Sequence, residues 1–522
     1  MTAKTRYDYL SSERTQFLDE GEKAAELTLP YLLTQDQYTK GMRHLPTPWQ
    51  SVGAKGAVTL AAKLMQSMLP VQTSFFKLQV DESQLGQEFG PQVKSELDLS
   101  FAKIERTILE AVAASNDRVV VHEALLHLVV AGNALIFMGK DGLKVYPLNR
   151  YVVERDGNGN VIEIITKETI AKKLIEDQLP EDVLKQYDTV VDGSDDNVEE
   201  CDIYTHIKRD NNRYVWHQEV HGTILEKSYG KAPVDITPWI PLRFNTVDGE
   251  DYGRGRVGQF IGDLKSLEAL SQALVEGSAA AAKVVFTVSP SSTTKPSTLA
   301  NAGNGAIVQG RPDDIGVVQV GKTADFRTAF EMMQQLERRL NEAFLVMQVR
   351  QSERTTAEEV RLTQMELEQQ LGGLFSLLTT EFLLPYLNRI LNQFQKSGKI
   401  PRLPKDIVKP TIVAGVNALG RGQDRESLGQ FLTIVSQTMG PEAVQKHINP
   451  EEVIKRLAAA SGIDVLNLVK SMQEIEAKEQ QAQQMAMQQQ QQENQTAMMK
   501  TPMMDPSKNP ALAGDQQQPP TQ

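Results

Sequence analysis

The sequence is short of the residue types that most catalytic and secreted proteins depend on. It has one cysteine in 522 residues, Cys201, so no intrachain disulfide and no thiolate cluster can form. Of its seven histidines, His44, His206, His217, His221 and His447 form no ligand cluster in sequence, although His217 and His221 can share a strand. His122 and His127 flank Glu123 in a way that suggests a zinc-protease helix. Five residues apart, they point about 140° away from each other on a helix and cannot share an ion. Both are expected at the surface or the core edge. Basic residues are not in excess: 55 Lys and Arg face 67 Asp and Glu, a net charge of −12. That argues against tight, non-specific binding to phosphate backbones, but not against a protein that surrounds DNA without gripping it. Aromatic residues make up 6%, which favours Leu-, Val- and Ala-rich packing. The opening Met1-Thr-Ala-Lys-Thr-Arg6 lacks the apolar core of a signal peptide. The longest membrane-like stretch, Ala124 to Gly139, falls short of the ~18 apolar residues of a spanning helix. It reads as a buried helix turning at Gly132-Asn133 into a strand, and no membrane association is expected.

What is present is a long chain, 40% hydrophobic, enough for about three or four units. Ser11 and Ser12 are candidate caps of a first helix reaching Pro30. A second helix covers about Val52 to Leu69, with Leu60, Leu64 and Met68 on one face. Helices follow at about Gln92 to Ser115 and Val119 to Ala131. The period then changes. Lys140-Asp-Gly142, Asp156-Gly-Asn-Gly-Asn160 and Asp210-Asn-Asn212 each separate two β-rich runs, predicting three hairpins. A charged helical insert is expected at about Lys167 to Tyr187. The unit is α+β: a meandering antiparallel sheet against helices.

From Gln259 the chain returns to helix. One long rod is predicted to about Val284, with Phe260, Leu264, Leu267 and Leu274 on its stripe and small residues Ala279 to Ala282 at its end. A second is predicted from about Phe326 to Gln348, with Asp325 as N-cap and a stripe of Phe326, Phe330, Met333, Leu340, Phe344 and Met347. The polar stretch between them, Ser289 to Gly310, makes a stalk with a tip. A loop, Val349 to Thr355, carries Arg350 and Arg354. Thr356-Ala-Glu-Glu359 then opens a long helix to about Ser397, with kinks expected at Gly372-Gly373 and Pro385. Lys399 to Ser471 mixes a strand near Ile412 with helices, one starting at Asn449-Pro-Glu-Glu452. The tail from about Gln473 is Gln- and Met-rich, helical at first, with disorder expected after about Met498.

One catalytic motif fits letter for letter. Gly316-Val-Val-Gln-Val-Gly321-Lys322-Thr323 matches the phosphate-loop pattern. A true site needs a strand before the first glycine. Here the β-branched Val317, Val318 and Val320 put the strand inside the pattern, and Gly310-Arg-Pro-Asp-Asp-Ile315 before it reads as a turn. A strand running into the next helix explains the segment better. Asp251-Tyr-Gly-Arg-Gly-Arg256 can by composition touch phosphate, yet a turn before the first rod is the plainer reading. No catalytic residue, metal ligand or cofactor site is assigned.

Several segments, in order, resemble the portal or head-to-tail connector proteins of short-tailed bacteriophages. They include Thr47-Pro-Trp-Gln-Ser-Val-Gly53, Leu128-Val-Val-Ala-Gly-Asn133, Tyr151-Val-Val-Glu-Arg155, Asp202-Ile-Tyr-Thr-His206 and Asp248-Gly-Glu-Asp-Tyr-Gly-Arg254. Gly262-Asp-Leu-Lys-Ser-Leu-Glu268, Gly310-Arg-Pro-Asp-Asp-Ile315, Glu353-Arg-Thr-Thr-Ala-Glu-Glu359 and Leu419-Gly-Arg-Gly-Gln-Asp424 continue the series. The glutamine tail matches less well. The resemblance implies a non-enzymatic, twelve-subunit ring at one capsid vertex of the virion, assembled in the host cytoplasm. It implies a wing (1–258), a two-helix stem (259–284 and 326–348), a clip (285–325), a channel loop (349–355), a long wing helix (356–397) and a crown (398–470), with the tail at 471–522. Implied partners are the capsid and scaffolding proteins, the packaging terminase, the tail adaptor, internal core proteins and the double-stranded DNA passing through. Arg350, Arg354, Lys322 and Lys283 are the expected transient DNA contacts. Phe260, Leu264, Leu267, Leu274, Phe330, Met333, Leu340, Phe344 and Met347 are the expected subunit-packing residues. The rival readings are a packaging ATPase using Lys322 and Thr323, and a tail adaptor.

Overall fold

The computed structural model describes residues 2–33, 45–70, 74–80, 91–140, 142–171, 200–281, 285–291, 295–303, 307–309, 311, 313, 315–318, 323–346, 372–402, 408–412, 421–440, 448 and 453–454. The chain divides into two compact units, Met1–Ala418 and Leu419–Gln522. In the second, the main described element is one helix, Arg421–Met439.

The first unit begins with helix α1 (Ala3–Glu26), which starts earlier than its serines suggest. Thr2 is the N-cap, its Oγ1 accepting from the Thr5 N–H at 3.3 Å. Ser11 and Ser12 sit inside the helix and donate back to the Asp8 and Tyr9 carbonyls. Hydroxyls that can bond their own backbone mimic a cap in sequence without being one. Helix α2 (Val52–Met68) buries Leu60, Leu64 and Met68, as their spacing predicts. After strand β1 (Phe76–Val80) and helix α3 (Pro91–Ala114) comes helix α4 (Asp117–Ala131). All its residues from Ala124 to Ala131 are buried, so the second half of α4 is a core rod without a polar face. Gly132, left-handed at φ +78°, ends it.

The predicted hairpins form. Strands β2 (Asn133–Met138) and β3 (Leu143–Tyr146) pair, and β10 (Trp239–Arg243) pairs on the other side of β2. The larger sheet runs β4 (Tyr151–Arg155), β5 (Val161–Ala171), β6 (Glu200–Asp210), β7 (Arg213–Val220), with β8 (Thr223–Ile224) and β9 (Gly230–Pro233) sharing the outer edge of β7. Every pairing in these sheets is antiparallel. The helical insert expected from Lys167 is instead strand as far as Ala171; its remainder lies outside the described residues. Cross-strand partners explain the difference. Lys167 pairs with Asp202 at 3.1 Å, Thr169 bonds Asp202 at 2.8 Å, and Lys144 pairs with Glu168.

Helix α5 (Ile261–Ala281) follows a single turn, Arg256–Gln259, so Phe260 lies at the junction rather than within the rod. Strand β11 (Val285–Val288), a short helix (Pro296–Ala300) and strand β12 (Ile315–Val318) lead into helix α6 (Thr323–Ala343). Asp325 is therefore in the first turn and is not the cap. The long helix expected to Ser397 is described from residue 372. It contains a π-helical turn, Thr379–Leu383, and then continues as α7 (Leu384–Lys396). Pro385 has no N–H for the Glu381 carbonyl, and the wider turn absorbs that defect. Strand β13 (Val408–Ile412) pairs with β1, which ties this stretch to the first unit. The Asn449 helix start and the tail lie outside the described residues, apart from a helical pair at Val453 and Ile454.

One main core joins α1, α2, α4, β2, β10, α7 and the roots of α5 and α6. A satellite core holds the start of α1 on the large sheet through Tyr7, Leu10, Val152, Ile165 and Tyr204. Ion pairs reinforce that contact: Arg6 reaches Glu163 at 2.8 Å and Glu154 at 2.6 Å. His127 is buried in α4, not at the core edge. Burial lowers its pKa to about 4. The folded state thus binds fewer protons than the unfolded chain below about pH 6.5, so this contribution is intact above that pH and fades as pH falls towards 4. Between pH 7 and 4 the loss attributable to His127 is about 3 kcal/mol. In thermal melts, His127→Leu should lose distinctly less stability than wild type across that window. Parallel curves would show that the imidazole is not the cause.

Candidate functional site

The most distinctive local construction is the root of the α5–α6 hairpin, where two backbones cross in contact. Gly132 follows the buried helix α4, and Gly253 and Gly255 precede the turn into α5. A Cβ on Gly132 would lie 2.4 Å from the Gly255 nitrogen, one on Gly255 2.5 Å from the Val130 carbonyl, and one on Gly253 2.8 Å from the Gly132 carbonyl. No side chain fits there, because the obstacles are backbone, joined at Gly253 by the Arg243 Cβ at 2.8 Å. The Asn133 amide locks the crossing. Its Nδ2 donates to the Gly253 carbonyl at 2.7 Å, and its Oδ1 accepts from the Gly253 N–H at 2.7 Å.

The rest of the 251–256 segment is spent on the same joint. Asp251 Oδ1 accepts from the Arg155 N–H at 2.8 Å, and the Tyr252 hydroxyl accepts from the Val153 N–H at 3.0 Å. Arg254 pairs with Glu250 and Glu20, and those bonds raise its pKa further. Arg256 donates to the Ala343 carbonyl at 3.2 and 3.0 Å, closing the base of the hairpin at the negative end of α6. Burial lowers the Arg256 pKa. These residues are structural, as the turn reading expects, and none is left over for a phosphate.

Helix α2 forms the seat. Phe344 packs over Gly56, where a Cβ would come within 2.6 Å of its ring. Lys63 Nζ donates to the Leu345 carbonyl. Helix α6 ends in a Schellman motif: the Val346 N–H reaches the Asn341 carbonyl at 2.7 Å and the Leu345 N–H the Glu342 carbonyl at 3.0 Å. Leu345 takes the left-handed position at φ +56°, a conformation that costs a leucine about 1–2 kcal/mol. Gln50 joins α1 and α2 by donating to the Leu27 carbonyl at 2.7 Å and accepting from the Gly53 N–H at 2.9 Å. Glu268 of α5 accepts the Trp49 and Gln50 N–H groups at 2.8 and 3.3 Å.

Away from this root the hairpin loses its core. The helices run antiparallel, with Arg339 on Asp263 at 2.7 Å, Ser271 on Met333 at 3.7 Å and Phe326 against Gly277. Leu264, Leu267, Leu340 and Phe344 are buried within the chain itself, so they serve its own core rather than a free surface. Phe260, Leu274 and Met333 are half-buried, and Phe330 is exposed. No residue from Gln272 to Ala280, nor from Phe326 to Gln335, is buried. Each rod is 21 residues, about 31 Å. The distal strands pair antiparallel, with Gly316 opposite Thr287. The first glycine of the phosphate-loop lookalike is thus inside a paired strand, where a phosphate nest cannot form. Gly321, Lys322, Lys283, Met347, Arg350 and Arg354 lie outside the described residues.

A cleft of about 1090 Å³ opens beside the root, lined in part by Lys23, Phe244, Lys265, Leu374 and Leu377. Among the described residues that line it there is no histidine or cysteine, and the one carboxylate, Glu20, pairs with Arg254. Sequence reasoning missed Asn133, Gly132, Arg256, Lys63 and Gln50 as joint-forming residues. The Gly-Asn step after an apolar helix and the Gly-Arg-Gly-Arg run were the available signals.

Residues 1–468 match the family described as bacteriophage head to tail connecting protein. The chain is 36% identical over 488 residues to the portal protein of Escherichia phage T7, covering 91% of this chain and 89% of that protein. It is 30% identical over 487 residues to the portal protein of Enterobacteria phage SP6, covering 91% and 92%. A solved structure of a native gene transfer agent virion aligns over 79% of this chain and 90% of that one, at 12% identity and a TM-score of 0.37.

Substitution at the crossing tests its importance. Gly132→Ala should destabilise the fold by about 3 kcal/mol or more, because a left-handed backbone and a backbone clash coincide. Gly249→Ala, equally left-handed at φ +79° but in open space, should cost only about 1–2 kcal/mol. Equal losses in chemical denaturation would show that the close approach carries no weight.

Proposed function

The chain belongs to the bacteriophage head to tail connecting protein family, a family of structural connectors and not of enzymes, and on that basis we propose that it is the portal subunit of a virion. Copies form a ring, with twelve as the proposed number, at one capsid vertex. DNA enters through the ring during packaging and leaves through it on ejection. The observation that carries the reading is the α5–α6 hairpin: two rods of 21 residues whose outer halves hold no fully buried residue. Such rods need neighbours, and a closed ring of identical copies supplies them.

In this reading residues 1–258 are the wing, and 259–284 with 326–348 the stem. Residues 285–325 are the clip, 349–355 the channel loop, 356–397 the long wing helix and 398–470 the crown. The 471–522 tail follows. The clip meets the packaging terminase and later the tail adaptor. The body meets capsid and scaffolding proteins, and the crown side the internal core proteins. The channel is a passive conduit. Each tightly bound phosphate would add salt-sensitive affinity and friction, so a net charge of −12 suits passage rather than grip. Arg350, Arg354, Lys322 and Lys283 are the proposed transient contacts to the DNA backbone. Leu274, Met333 and Phe330 are the proposed inter-subunit contacts of the stem.

The full chain, purified and viewed end-on by electron microscopy with native mass spectrometry, should form closed rings of one size. It should neither bind nor hydrolyse ATP, and Lys322→Ala should leave both readings unchanged. A chain that stays single under all assembly conditions, or that turns over ATP unaided, would end the proposal.

A further inference from the structure

The exposed apolar side chains of the hairpin fall on two sides, and helix geometry says which. The Asp263–Arg339 ion pair marks one side. On α6, Met332 is seven residues before Arg339 and so within about 20° of it, whereas Phe330 is about 180° away. On α5, Glu268 and Val275 share a line about 120–140° from Asp263. Trp49 joins that line, its N–H donating to Glu268 at 2.8 Å. One flank therefore carries Trp49, Val275 and Phe330, which are 48%, 53% and 47% exposed. The opposite flank carries Met332, 52% exposed, beside the ion pair. Between them the solvent face of α6 holds the exposed Arg327–Glu331 pair.

We infer that these flanks are the two unlike halves of one head-to-tail interface: the Trp49–Val275–Phe330 flank of each copy docks on the Met332 flank of the next. The inference rests on the ring reading and names the surface that makes the ring. A second copy is the fitting occupant because the apolar residues sit on two opposed flanks. A partner bound once, or a face-to-face dimer, needs one patch; an interface that propagates and closes needs two different ones. The exposed aromatic Trp49 suits the interface core. Ala273, Ala279 and Ala280, exposed along α5, let a neighbouring rod come close.

The test uses two full-length variants, each blocking one flank: Val275→Glu with Phe330→Glu, and Met332→Glu. All three side chains are half or more exposed or close to it, and matching thermal melts would establish that both variants fold. Alone, each should lose at least tenfold in the fraction assembled, since every junction contains one blocked flank. Mixed in equal amounts, they should form two-copy species and stop there, because one junction has both flanks intact and the next has both blocked. Native mass spectrometry reads the result. Homodimers of either variant alone, wild-type rings from either, or a mixture without two-copy species would each overturn the flank assignment. Absence of rings from the wild type would instead remove the connector reading beneath it.

Discussion

The structure depends on one close contact between two stretches of backbone. Where α4 ends, Gly132 passes against Gly253 and Gly255 so tightly that no Cβ can be placed between them. The Asn133 amide then reproduces a backbone pairing with Gly253, one donor and one acceptor, both at 2.7 Å. Buried polar groups must be satisfied, and here the satisfaction also sets geometry. The chain that leaves the joint is the first rod of the hairpin, and the chain that enters it comes from the most buried helix of the core. The direction of the rods is thereby fixed to the body.

The second rod is fixed to the first at the same place. Arg256 holds the Ala343 carbonyl at the end of α6, Lys63 holds the Leu345 carbonyl and Phe344 lies over Gly56. The root is thus over-determined, whereas no residue of the outer half is fully buried. This contrast is what a connector needs: a rigid anchor in each subunit and rods whose packing is completed between subunits. In the ring we propose, hydrophobic burial between copies completes that packing, which couples the folding of the hairpin to assembly.

Much of this was legible in the sequence and some was not, for definite reasons. The three hairpins were readable because turn residues sit between β-rich runs, and α2 because Leu60, Leu64 and Met68 recur at four. The stretch from Lys167, expected to open a charged helical insert to about Tyr187, is strand as far as Ala171. Asp202 and Lys144 across the strands are the partners of its charges, and cross-strand pairing is non-local. Ser11 and Ser12 read as caps because local bonding cannot tell a cap from a back-bonded hydroxyl. The stripe of α6 was found, but not which of its members face inward: Leu340 and Phe344 are core, Phe330 a flank. Asn133 had no periodicity to announce it; its partner lies 120 residues away. Arg350 and Arg354, the proposed DNA contacts, rest on the sequence and the family and lie outside the described residues.

Amide hydrogen exchange, followed along α5 and α6 in separated subunits and in assembled rings, addresses the central claim most directly. The account requires slow exchange at the Asn133–Gly253 crossing in both states, and slow exchange in residues 272–280 and 326–335 in rings alone. Equal protection of those outer segments in the separated subunit would contradict it, since the rods would then be stable without neighbours.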